Sequence, residues 1–354
     1  MQKLHSLTGI RAIAALGVIL FHMLDIYNYG LLQPLVLKGH LGVDLFFVLS
    51  GFILSFVHQS DFTTISLRQV LRFYLLRLAR ILPVHYFVLV FYLIFYGTLA
   101  LVTRQPFPHY LGDMRDFALN VCNVHAWGFC TMLNWNCPSW SVSAEWFAYL
   151  SFPFLCLVFL RFQNRFSNLF LFFSCFMILA ICYVLKGTTG IGWTFNGGLL
   201  RIVTEFPAGC ALYNLYKHEK PPQWLLPACI SGIILGAYLH FPEYTLALML
   251  AGLIYGLTET QGFMASRPMV HLGEISYSVY MVHSFICGKF EGLDKHFGIV
   301  TPSLSIQNVI FFLFIMGTIL LVGEAVYRYV EVPCRNTIRK LISDLKQKQP
   351  SFSG

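Results

Sequence analysis

Residues 8 to 25 read TGIRAIAALGVILFHMLD, and how this stretch is taken decides the fold. It is apolar enough to cross a bilayer, yet it holds Arg11 near one end and His22 near the other. Each ionisable group in hydrocarbon costs about 2.5–3.5 kcal/mol on insertion scales. Only Lys3 and His5 precede the run, and no small-residue cleavage site follows before further apolar segments, so the reading is a retained first span and not a signal peptide. At 100° per residue, the eleven positions from Arg11 to His22 make three turns plus about 20°. Both side chains therefore project from one face, about 16 Å apart along the axis.

The rest of the chain agrees with a membrane reading. Of its 354 residues, 57% are hydrophobic and 11% charged, where a soluble domain is about a quarter charged. With about 20 apolar residues needed per span, ten spans are expected, near 7–28, 41–59, 82–103, 139–160, 166–185, 197–216, 223–240, 243–259, 269–289 and 304–331. An all-α polytopic protein around a polar cavity is the fold class this implies. If the N-terminus is inside, fifteen Lys and Arg fall in inner segments and six in outer loops. That asymmetry places both termini in the cytoplasm. The net charge of +8 then reports topology rather than a nucleic-acid partner.

Residues 61–81, DFTTISLRQVLRFYLLRLARI, carry Leu67, Val70, Leu71, Tyr74, Leu75 and Leu78 at helical spacing beside Arg68, Arg72, Arg77 and Arg80. This is the pattern of an amphipathic helix on the inner leaflet. The outer loop 104–138 is long and aromatic and is expected to fold as a cap. Residues 1–340 form one transmembrane domain, and 341–354 a polar, disordered cytoplasmic tail. None of the ten cysteines sits in a metal-ligand pattern, so no metal is expected. Cys122, Cys130 and Cys137 share the outer loop, where one disulfide would leave one thiol over.

The remaining intramembrane polar residues recur at a few depths. In the fourth span, PSWSVSAEWFAYLSFP, Glu145 lies about six residues from the outer end, the depth of His22 approached from the other side. A carboxylate and an imidazole at one depth can form a base and its orienting partner. The second span, GHLGVDLFFVLSGFILS, has Asp44 at its outer mouth and Ser50-Gly51 near the middle. That pair serves either as a small-residue helix contact or as a place where substrate approaches closely. In the ninth span, HLGEISYSVYMVHSFI, Ser276, Tyr280 and His283 share one stripe. Arg201 with Glu205, and Glu324 with Arg328, are spaced as i, i+4 ion pairs.

Several of these motifs together resemble the acyltransferase-3 family of bacterial membrane O-acyltransferases, over nearly the whole chain. The family's basic residue ten residues ahead of His is matched by Arg11 and His22, and its FFxxSG by Phe46 to Gly51. Its RxxR is matched by Arg77 to Arg80, and its WSxxxE by Trp140, Ser141 and Glu145. The SYxxYxxH pattern falls on Ser276, Tyr277, Tyr280 and His283, and Tyr-x-Glu-x-Pro on Tyr329, Glu331 and Pro333. Thr8 stands where many relatives carry Asp, and Val282 where the usual ending is Trp-His.

The resemblance implies transfer of an acyl group, usually acetyl, from cytoplasmic acetyl-CoA to a hydroxyl of a surface polysaccharide or lipid-linked glycan such as lipopolysaccharide O-antigen. It implies the stand-alone form in a bacterial inner membrane, without a fused extracellular hydrolase-like domain. Arg11, Arg77 and Arg80 are then expected to hold donor phosphates, with Ser50 and Gly51 along the donor path. His22 becomes the general base or acyl acceptor, oriented by Glu145 or Asp25. Asp44, Trp140, Ser141, Tyr280 and His283 are left to face the acceptor. The rival class is a transporter or flippase of a lipid-linked glycan that uses the intramembrane charges for coupling. It calls for inverted repeats that this sequence does not display.

Overall fold

A computed structural model describes residues 4–188, 192–300 and 305–347. All regular structure among them is helical, with no strand. The chain runs α1 (His5–His22), α2 (Gln33–Leu37), α3 (Gly42–His58), α4 (Leu67–Thr103), α5 (Met114–Val121), α6 (Ser139–Arg161) and α7 (Arg165–Leu185). It continues through α8 (Gly198–His218), α9 (Leu225–Tyr238), α10 (Glu243–Leu257), α11 (Arg267–Phe297), α12 (Ile306–Val326) and α13 (Val332–Gln347). A π-helical turn, Tyr327–Glu331, joins the last two.

Six helical segments are long and apolar enough to cross a membrane: His5–His22, Gly30–Phe62, Leu67–Thr103, Ser139–Arg161, Arg165–Leu185 and Ile306–Ile342. Helices α9 and α10 are apolar but shorter. The outer surfaces of α4, α7 and α12 expose large apolar side chains in series, among them Phe91, Ile94, Phe170, Phe173, Leu313 and Phe314. A contiguous apolar belt of that kind is what a lipid-facing surface requires.

Lipid tails supply no hydrophobic drive between helices, so the backbones must approach closely for dispersion contacts to hold them. The seam between α3 and α8 does this reciprocally. A Cβ on Gly51 would fall 2.0 Å from the Phe206 carbonyl oxygen, and one on Gly209 would fall 2.0 Å from that of Val48. Gly273 does the same for α11 against α1, where a Cβ would meet the Thr8 oxygen at 1.9 Å. Gly51 is therefore a helix-contact residue, and the expectation that it lines a donor path is not met.

Two other expectations are revised. Residues 67–81 are helical, but they continue without a break into the third span as one 37-residue helix. The polar tail is a helix as far as Gln347, packed on α4, while residues 348–354 lie outside the described ones. All three cap cysteines are free thiols, as are the other seven.

The cap, 104–138, encloses a polar interior: Asn120, Asn123, His125, Asn134 and Asn136 are all buried. Ser143 Oγ donates to the Asn123 carbonyl and accepts from the Ala126 amide, which ties the cap to the top of α6. His85 and His125 lie with rings parallel, 5.9 Å apart. Burial, then the neighbouring His85, push the His125 pKa down to about 3. Because the folded state disfavours the proton that the unfolded chain takes up near the usual 6.5, the cap has its full stability above that pH. It loses stability as pH falls from there toward 3. Thermal unfolding followed through Trp135 fluorescence is expected to show this loss, and His125→Gln to flatten it.

Candidate active site

The cavity at the centre of the bundle has a volume of about 200 Å³ and is walled by α1, α3, α4, α6 and α11. It presents three guanidiniums, Arg11 from α1 and Arg77 and Arg80 from α4. None of the three makes a hydrogen bond or ion pair among the described residues, and the buried Nε of Arg77 is without a partner. Pro83, one turn beyond Arg80, sits inside the unbroken α4. The RLAR segment is thus carried into the protein on a helix face and not left on the surface.

Glu145 faces the same space. Its Oε1 accepts from Ser50 Oγ at 2.7 Å and from the Tyr149 hydroxyl at 2.5 Å. One carboxylate oxygen holding two hydroxyls is fixed in place, and its charge faces the three arginines, all of which feel it. The expected pairing with His22 is not formed: Glu145 belongs to the arginine end of the cavity. Asp25 lies exposed beyond the end of α1, with no hydrogen bond to His22.

His22 is held instead by a carbonyl and a second imidazole. Its Nδ1 lies 2.8 Å from the Val18 carbonyl oxygen and 3.4 Å from His283 Nε2. His283 is fully buried, and its own Nδ1 lies 2.5 Å from the Tyr280 oxygen. A carbonyl only accepts, so both rings carry their proton on Nδ1. That leaves His283 Nε2 as an acceptor toward His22, and His22 Nε2 with a free lone pair. Tyr280 connects the two regions, since it lines the cavity and its ring lies 5.6 Å from that of His283. The Tyr280 hydroxyl meets Ser141 Oγ at 2.8 Å, and both reach the carbonyl of Pro138 at the end of the cap, each at 3.0 Å.

Asp44 and Trp140 are placed elsewhere. Asp44, fully buried, takes two hydrogen bonds from Arg201, Nε to Oδ1 at 3.1 Å and Nη2 to Oδ2 at 2.7 Å. Arg201 also donates to the Trp193 carbonyl and lies 4.9 Å from the Trp140 ring centroid. Glu205 is buried beside this pair, so the expected Arg201–Glu205 bridge is replaced by Arg201–Asp44 across two helices. The fork geometry of a guanidinium suits a carboxylate from a facing helix better than one on its own turn. Glu324 and Arg328 do pair as spaced, with His271 as a further partner.

Three residues join the site that the candidate residues had omitted. Tyr149 follows Glu145 by one helical turn, a spacing visible in the sequence. Tyr277 lines the cavity and donates to the Ile81 carbonyl at 2.6 Å. Glu331, in the π-helical turn, is buried and accepts from Ser278 at 2.8 Å and Arg335 at 3.1 Å. Its Tyr-x-Glu-x-Pro motif had marked it without giving it a place.

The site thus defined is a guanidinium-lined cavity in an all-helical, membrane-type bundle, with Tyr280 of its wall beside the His283–His22 pair. The family model described as an acyltransferase domain matches residues 4–328, and the chain belongs to this family, the acyltransferase-3 family its motifs resembled. It is 24% identical over 388 residues to the O-acetyltransferase OatA of Staphylococcus aureus strain MRSA252, and equally to OatA of strains NCTC 8325 and COL. These alignments cover 99% of this chain and 60% of each relative's length. No solved structure matches the chain.

The Asp44–Arg201 pair predicts a stability effect rather than one on acceptor recognition. Asp44→Ala removes the carboxylate that is hydrogen-bonded to a buried guanidinium and leaves it only the neighbouring Glu205, a loss of up to about 3–5 kcal/mol. Thermal unfolding in detergent is expected to show that loss, whereas Ser141→Ala, exposed to no such penalty, unfolds close to wild type.

Proposed function

We propose that this chain is a membrane O-acyltransferase that moves an acetyl or other acyl group from cytoplasmic acyl-CoA to a hydroxyl of a surface glycan, such as lipopolysaccharide O-antigen. In this reading the ten spans expected from the sequence cross the bacterial inner membrane with both termini cytoplasmic, and lipid surrounds the apolar belt. The observation that carries it is the continuous arrangement from three unpaired guanidiniums, through Tyr280 and His283, to a histidine with a free Nε2. Family membership and the O-acetyltransferase relatives support it.

Arg11, Arg77 and Arg80 bind the donor's phosphates, because a planar guanidinium matches phosphate oxygens bidentately. The thin pantetheine arm then has about 16 Å of α1 to climb between Arg11 and His22. Glu145 offsets part of the mutual repulsion of the arginines when the donor is absent. At the outer end, the acceptor hydroxyl attacks the thioester carbonyl while His22 Nε2 takes its proton. The new C–O bond forms, the C–S bond breaks, and the proton passes to the departing thiolate. In the two-step variant, His22 Nε2 itself carries the acyl group between donor and acceptor.

His283 takes the orienting role that a carboxylate has in many base pairs. The Val18 carbonyl fixes the His22 tautomer, and the His283 Nε2 lone pair, 3.4 Å from His22 Nδ1, shares that proton and stabilises the imidazolium. His283 has no proton left for an oxyanion, and the hydroxyls of Tyr280 and Ser141 could donate to one only by releasing the Pro138 carbonyl.

Purified protein incubated with labelled acetyl-CoA and a glycan acceptor is expected to transfer label, and His22→Ala to lose at least about a hundredfold in rate while staying folded. Acceptor movement with no loss of acyl group from the donor would sink the assignment. His283→Gln, which keeps an acceptor oxygen near His22, should retain far more activity than His283→Phe. Equal losses in the two would overturn the orienting role.

A further inference from the structure

The arginines of the cavity do not end at its wall. Helix α13 packs along α4, and Glu331, Arg335 and Arg339 follow one another at four-residue intervals on it and on the turn before it. Residues spaced by four lie on one helix face. Arg335 is held by Glu331 at 3.1 Å, and its buried Nε is without a partner. Arg339 makes no ion pair among the described residues and lies within electrostatic reach of Arg335 and Arg80. Arg77 in turn feels Arg339. Five guanidiniums therefore share one region with two carboxylates, Glu145 and Glu331.

Like charges gathered this way repel, and four of the five make no ion pair among the described residues. The usual resolution is an anion bound when the protein is at work. The pyrophosphate expected at Arg11, Arg77 and Arg80 accounts for the inner group alone. Arg339 is exposed, on a helix that packs along the α4 that carries Arg77 and Arg80. A ligand that met only the inner group would leave it idle.

We infer that α13 forms a second phosphate subsite, in which Arg339, with Arg335 beside it, binds the 3′-phosphomonoester on the ribose of coenzyme A. This rests on the acyl-CoA reading above and adds the part of the donor that the cavity does not reach. A phosphomonoester carries about −1.5 to −2 charge at neutral pH, a better match for a guanidinium pair than a pyrophosphate oxygen. The consequence is donor selection. Acyl groups on coenzyme A are accepted, while those on dephospho-coenzyme A or on phosphopantetheine are discriminated against, although all three present the same thioester.

The experiment measures KM for acetyl-CoA and for acetyl-dephospho-CoA with the full-length protein in detergent, alongside thermal-shift binding of coenzyme A and dephospho-coenzyme A. The wild type is expected to favour the 3′-phosphorylated donor by on the order of tenfold or more, and Arg339→Gln to collapse that ratio toward one. Arg267→Gln removes an exposed positive charge outside the cluster and controls for long-range attraction; the ratio there should stay at the wild-type value. Equal KM values for the two donors in the wild type, or an undiminished ratio in Arg339→Gln, would overturn the subsite while leaving the acyl-CoA reading intact. A ratio that falls as far in Arg267→Gln as in Arg339→Gln would overturn it as well. Failure of both coenzymes to bind the wild type would overturn the donor reading, and the subsite with it.

Discussion

A guanidinium in an apolar bundle must be paired or must face a polar space, and this constraint arranges the rest of the molecule. Arg201 takes the first course. It is buried with Asp44 across the α3–α8 seam, where its two parallel hydrogen bonds and a carbonyl contact offset the loss of water. Arg11, Arg77 and Arg80 take the second. They gather at one cavity, and the surrounding tyrosines and Glu145 keep that cavity polar. A bundle that had to pair every charge would close on itself; one that leaves three guanidiniums open keeps a place for an anion.

The two ends of the site are built by different devices. At the arginine end, one helix unbroken over Leu67–Thr103 carries the RLAR segment into the interior. At the histidine end, successive carbonyls do the positioning. Pro138, Tyr280 and Val18 each offer an oxygen that commits a hydroxyl or ring proton. Carbonyls are suited to this because they accept only, so every tautomer upstream of them is determined. The cap takes part through Pro138 and through Asn136, which donates to the Met281 carbonyl beside His283. A segment that looks peripheral in sequence therefore sets where the imidazoles stand.

Much of the site was legible before any coordinates. Arg11, Arg77, Arg80, Ser50, Glu145, Ser141 and Tyr280 all line one cavity, and His283 reaches His22 as its depth on the ninth span had allowed. The misreadings share a cause. Glu145 and His22 were matched by depth alone, and depth along an axis says nothing of the direction in which a side chain leaves its helix. Arg201 was matched to Glu205 by spacing within one helix, while the better carboxylate stood on a neighbour. Gly51 carried two readings that periodicity could not separate until the backbone of α8 was seen against it. The polar tail was taken for disorder because its helix has a surface to lie on only once α4 extends beneath it.

By itself, the sequence determined the all-helical membrane class, the one-face separation of Arg11 and His22, and the family. These follow from hydropathy, from 3.6 residues per turn, and from motif order, all of them local or additive along the chain. Only the tertiary structure decided that the partner of His22 is another imidazole, that Glu145 serves the arginines, and that Asp44 is a structural anion. Those are questions of which helices are neighbours and how each is rotated. The answers depend on small-residue contacts and charge pairing between segments far apart in the chain, which no periodicity within one segment encodes.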